Sequence, residues 1–149
     1  MLRFYDMKMI IDTKEANMRR TSLSSQQIAI SAVIGAILWF FAAMLMRVIV
    51  STDFYSGFGV AIIYALTIPG TIPFVFLLRK IARLRTDRIA IGYTIATSAA
   101  LLLDGTAFAF FPSLYADNST DALQAAAAIL WGAGVGQILA FIINKEIVT

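Results

Sequence analysis

The sequence contains neither cysteine nor histidine. Without thiols there are no disulfides and no thiol redox chemistry. Without thiolate or imidazole the usual ligand sets for zinc, haem and iron–sulfur clusters are missing, as is the side chain that most often moves protons at neutral pH. No metal and no other cofactor is expected. Charge is scarce too: Asp, Glu, Lys and Arg make up 14% of the 149 residues, 60% are hydrophobic, and mean hydropathy is +0.81. Soluble domains average about 45–50% apolar and about 25% charged. A chain this apolar cannot cover itself with water-compatible surface. The composition therefore implies an all-α polytopic membrane protein whose first partner is the lipid bilayer.

Crossing about 30 Å of hydrocarbon takes roughly 20 residues of helix. Four apolar runs are long enough: 27–50, 57–78, 89–111 and 121–143. The short alternating segments of a β-barrel are absent, and a lone hydrogen-bonding segment in lipid has little choice but to be helical. The expectation is a four-transmembrane-helix bundle occupying 27–149, preceded by a polar cytoplasmic segment over 1–26 that is in part disordered. Met7, Met9 and Met18 also leave room for a later start, which would make 1–17 poorly ordered or a start-site artefact. The N-terminal segment is too polar, and the run behind it too long, for a secretory signal.

The few charges are unevenly placed. Residues 1–26 hold Arg3, Lys8, Lys14, Arg19 and Arg20, and "RKIARLRTDR" at 79–88 holds five Lys/Arg against one acid. With Lys145 these regions contain eleven of the twelve cations, whereas "STDFYS" and "PSLYADNSTD" contain none. Cytoplasmic loops carry the excess of Lys and Arg, so both termini and the middle loop are expected inside. A basic run between two apolar spans sets topology, and no nucleic-acid partner is expected. Ser24 and Ser25 are candidate caps for the first helix, and Asn118, Ser119 and Thr120 for the fourth, where Asp121 also suits the helix dipole.

Small residues recur at intervals of four. Span two has Gly57, Ala61, Ala65, Pro69 and Pro73; span three has Gly92, Ala96 and Ala100, then Asp104; span four has Ala128, Gly132, Gly136 and Ala140. Span one is looser, with Ala32, Ala36, Ala43 and Arg47 on one face. Such faces let helices approach closely where lipid supplies no hydrophobic drive. Gly132 and Gly136 are the expected packing positions of span four.

Asp104 is the one acid in the interior of an apolar span, Asp121 standing at the first position of its own, and Arg47 is the one cation. Counted from the matching ends of spans one and three, their depths differ by only ~6 Å. Charged groups at such depth usually pair or line a wet cavity. The first expectation is an Arg47–Asp104 ion pair facing the bundle interior. Two alternatives stand beside it: Arg47 snorkels to the headgroups, or Asp104 stays protonated and acts as a proton site. Pro69 and Pro73 release two backbone carbonyls in span two, which reads as a kinked packing helix or, as in transporters, a binding site at a broken helix. Thr94 and its neighbours are expected to bond their own i−4 carbonyls, and Gln137 to bond across helices. Trp39 and Trp131 read as packing residues, Tyr55 and Tyr115 as members of the aromatic belt.

With "RLRTDR" leading into span three, "LLLDGTAFAFFPSLY" closing it and "LWGAGVGQILAF" in span four, the sequence resembles a family of small four-helix bacterial membrane proteins catalogued as a domain of unknown function. The likeness covers about 28–143. It implies an inner-membrane location and no activity. Small multidrug exporters share only the helix count, because they use a Glu in their first helix and span one here has no carboxylate. The expected function is a structural or accessory membrane component, alone, as a homo-oligomer or in a larger membrane complex; the alternative is a small proton-linked or solute transporter using Asp104. An enzyme is not expected, since one isolated Asp without a nucleophile–base set, metal cluster or phosphate loop is no mechanism.

Overall fold

The computed structural model describes residues 7–13, 22–52 and 55–144. A short helix α1 covers 7–13. Four long helices follow: α2 (Ser25–Val50), α3 (Phe58–Ile81), α4 (Ile89–Phe110) and α5 (Ser119–Ile143). All four are long and apolar enough to cross a membrane. Their ends fall close to the four apolar runs, because the same change from apolar to polar residues that ends a run also supplies the caps. Most of the 1–26 segment (1–6 and 14–21), and with it much of the stretch expected to be disordered or a start-site artefact, lies outside the described residues, as does Lys145.

Local chemistry sets the helix starts. Ser24 takes the Gln27 N–H at 3.2 Å, while the Gln27 side chain takes the Ser24 N–H at 3.1 Å, a complete capping box. The Asn118 side chain accepts the Asp121 N–H at 2.9 Å and donates to the Asp121 carboxylate at 2.8 Å. At the start of α4 the cap comes from elsewhere: Asn144, just past the end of α5, accepts the Ala90 N–H at 3.1 Å. α3 ends with Leu84 N–H bonded back to Arg79 and Arg83 in the left-handed region at φ 50°.

These contacts fix an up-down-up-down arrangement. The Gln27 side chain reaches the Arg83 carbonyl at 3.1 Å, joining the start of α2 to the end of α3. Tyr55 donates to the Gln124 carbonyl at 3.1 Å, joining the α2–α3 connection to the start of α5. One end of the bundle therefore gathers the start of α2, the α3–α4 turn and the end of α5, and carries Arg79, Lys80, Arg83, Arg85 and Arg88. The other gathers the α2–α3 and α4–α5 connections and carries Asp117 and Asp121 with Arg47. We call them the basic and the acidic end.

α2 and α4 share the most extensive contact, α3 packs chiefly on α5, and α2 scarcely touches α3 although the two are consecutive. The α2–α4 seam is close because of Gly35: a Cβ there would lie 2.1 Å from the Ala96 carbonyl oxygen. In lipid such approach is the main source of helix association. The α2 face is thus Ser31, Gly35 and Ala43, all buried, rather than the Ala32–Ala36 line, whose residues are only partly buried. The α4 stripe points inward as expected, with Gly92, Ala96 and Asp104 buried. The α3 stripe does the opposite. Gly57, Ala61, Ala65, Pro69 and Pro73 are all exposed, and α3 buries Gly59, Thr71, Val75 and Leu78 instead. At the acidic end the core is made of small side chains closed by aromatic ones, with Ala43, Ala107 and Ala125 around Tyr55 and Tyr115, while elsewhere Leu78, Leu84, Val75 and Ile89 fill it.

Candidate functional site

Asp104 sits on the inward face of α4, about one and a half turns below the acidic end, and is 7% exposed. Its carboxylate Oδ1 accepts the Tyr115 hydroxyl at 2.5 Å and the Trp39 indole N–H at 2.9 Å. The same indole N–H lies 3.0 Å from the Tyr115 oxygen, so it is shared between the two. Three elements meet on one oxygen: α2 through Trp39, α4 through Asp104, and the α4–α5 connection through Tyr115.

Each partner is held by its own neighbours. Pro112–Leu114 forms a single 3₁₀ turn after α4, which folds Tyr115 back over the helix end. The Tyr115 ring is fully buried and stacks on Phe108 with ring centres 3.8 Å apart and planes 12° from parallel. Burial, and then the hydrogen bond to the Asp104 carboxylate, push the Tyr115 phenol above its ordinary range. Tyr55, also at this end, is raised to about 12, first by burial and then by neighbouring Tyr64. Both tyrosines, expected in the aromatic belt, stand in the connections at the acidic end with their rings buried, because a hydroxyl on a large ring can satisfy a buried acceptor while the ring fills the core.

The expected Arg47–Asp104 ion pair is not formed. Arg47 Nη2 bonds Asp117 Oδ1 at 2.8 Å, and Nη1 donates to the Ser113 carbonyl. Arg47 stands on the last turn of α2, and its long side chain extends towards the connection rather than down towards Asp104. That follows the preference of a cation near a helix end for the more polar zone. Asp104 has no such reach, and it is compensated by neutral donors instead. The signal for this was available: a mid-span indole N–H on α2 at a depth ~6 Å from Asp104 needs an acceptor as much as the carboxylate needs donors.

Pro69 and Pro73 lie on the exposed side of α3, which continues as a helix through both. Thr71 Oγ1 donates to the Thr67 carbonyl at 2.6 Å and Thr67 Oγ1 to the Ile63 carbonyl at 2.9 Å, so these hydroxyls bond back to their own helix on the side away from the prolines. A broken helix lining an internal site is not what α3 forms. Gly132 faces Thr67, and Gly136 faces Tyr93 and Thr71 so closely that a Cβ would lie 1.9 Å from the Tyr93 oxygen. Gln137 bonds Thr94 Oγ1 at 2.8 Å across α5 and α4, and Thr94 donates to its own i−4 carbonyl at Ala90. Trp131 stacks on Tyr64 and donates to its carbonyl at 3.1 Å.

Chemically the cluster ties three elements together, with the Asp104 carboxylate held by an indole and a phenol while Arg47 is engaged with Asp117. No protein-family model, curated protein or solved structure matches the chain.

Proposed function

We propose that the chain is a multi-pass inner-membrane protein with its termini and α3–α4 turn in the cytoplasm, acting as a structural or accessory membrane component rather than as a carrier. The orientation rests on the basic end, which the positive-inside rule puts on the cytoplasmic side.

The observation that carries the functional reading is the enclosure of Asp104 by Trp39 and Tyr115. A carboxylate that carries protons must be exchanged with water on alternate sides. This one is held by an indole and a phenol from two other elements, an arrangement suited to fastening the α4–α5 connection onto the α2–α4 pair. Purified chain in vesicles under a pH gradient tests it. The proposal requires that any proton leak be the same with Asp104→Asn as with the parent chain, with other membrane subunits copurifying from the native membrane. A proton-coupled flux abolished by Asp104→Asn, in protein that keeps its helical content, would replace it with the transporter reading.

A further inference from the structure

Two hollows meet at Arg47. The larger, about 650 Å³, is an open groove along the α2–α4 seam, walled by Trp39, Met44, Leu103, Ala107 and Phe111, with Arg47 and Ser113 at its mouth. The smaller, about 360 Å³, lies beyond it at the acidic end and is lined by Arg47, Ser51, Asp117, Asn118 and Asp121. From Arg47 to Trp39 is eight residues of helix, or ~12 Å. One leaflet of hydrocarbon is about half of ~30 Å. The groove thus has the depth of a single leaflet, a greasy wall below and charges only at the top.

The geometry points to a bound phospholipid of the phosphatidylethanolamine class, with an acyl chain in the α2–α4 groove and its headgroup across Arg47, Asp117 and Asp121. This rests on the membrane-spanning reading. The Arg47 side chain is 41% exposed and Asp117 87% exposed, so their ion pair is screened by water and open to exchange. Arg47 uses one donor from each terminal nitrogen, and a guanidinium has five to offer, which leaves it able to receive a phosphate alongside its present partners. Two carboxylates against one guanidinium leave the headgroup hollow formally negative. An anionic phosphoglycerol headgroup meets that excess as repulsion. A phosphate with a primary ammonium matches it: the phosphate pairs with Arg47 and the ammonium with Asp117 or Asp121. A choline headgroup carries the same charges but no N–H to give the carboxylates.

The test uses full-length, delipidated chain in mild detergent, titrated with phosphatidylethanolamine, phosphatidylglycerol or phosphatidylcholine of identical acyl chains, with bound lipid counted by native mass spectrometry. Phosphatidylethanolamine should bind once per chain and about tenfold more tightly than the other two. Asp117→Asn together with Asp121→Asn should remove the headgroup preference, because these carboxylates are what distinguish the three headgroups. Thr106 lines the same groove and is exposed, so Thr106→Phe should fill it without disturbing the core and weaken all three lipids. Circular dichroism establishes that each variant keeps its helices. Equal binding of the three lipids, or parent-like binding by both variants, overturns the assignment while leaving the membrane bundle intact. A change of oligomeric state with Thr106→Phe would overturn it in favour of a second copy in the groove. Release of the parent chain from membranes by alkaline carbonate would sink the membrane reading itself.

Discussion

Tyr115 closes over Asp104: the phenol of a fully buried ring on the α4–α5 connection donates to a carboxylate eleven residues earlier on α4, at 2.5 Å. Neither group would be stable alone at this depth, since a buried polar atom without a partner costs about 1–3 kcal/mol, more if charged. Together, with the Trp39 indole N–H at 2.9 Å, they satisfy one another and bring the connection down onto the helix pair.

The α2–α4 seam should be the least tolerant place in the bundle. Gly35→Ala would put a methyl group 2.1 Å from the Ala96 carbonyl oxygen, where only backbone can yield. The helices must part, and overpacking of this kind typically destabilises by about 1–3 kcal/mol. Gly134→Ala meets nothing within 4 Å, and should leave the thermal midpoint in detergent unchanged or raised. Equal midpoints for the two variants would contradict a seam built on Gly35.

Arg47→Ala should change stability little. Its partner is exposed, and exposed ion pairs are worth about 0–1 kcal/mol. Had the guanidinium been the counter-charge of Asp104, its removal would have stranded a buried carboxylate and destabilised by about 3–5 kcal/mol. Thermal unfolding of the purified variant separates these cases cleanly.

Alkali should loosen the acidic end. Tyr55 is raised from 10.0 to about 12, by burial first and Tyr64 second, and Tyr115 is raised as well, by burial first and the Asp104 carboxylate second. Unfolding returns both phenols to their ordinary range, so above pH 10 the unfolded chain loses these protons before the folded one does. The contribution of Tyr55 is fully present below pH 10 and is lost as pH rises through about 12, and that of Tyr115 is lost in the same direction. Helical content followed from pH 8 to 12 should hold and then fall, and Tyr55→Phe should make the fall shallower. A decline complete below pH 10 would rule the tyrosines out as its cause.

The four helices were legible because a span announces itself by length and hydropathy, and Ser24 and Asn118 by cap chemistry. Side-chain orientation was harder to read. The stripes of α4 and α5 point inward, but Ala61, Ala65, Pro69 and Pro73 share a four-residue spacing and point outward, because lipid accepts small apolar residues as readily as a neighbouring helix does. On α2 a single glycine, Gly35, decided the face, and no count of alanines weighs it correctly. Asp104 stood out as a lone acid in an apolar run. Its partners did not, because matching charge to charge overlooks neutral donors such as Trp39, and Tyr115 becomes available only once the Pro112–Leu114 turn folds it back.

The most direct test of the clasp is a double-mutant cycle with Asp104→Leu and Tyr115→Phe, read as unfolding free energy in detergent. If the two side chains hold the connection together, the losses are less than additive, with a coupling energy of about 0.6 kcal/mol, the average for hydrogen bonds inside a membrane bundle, and at most about 1.7 kcal/mol. Strictly additive losses, with no coupling, would show that Asp104 and Tyr115 do not act as a pair.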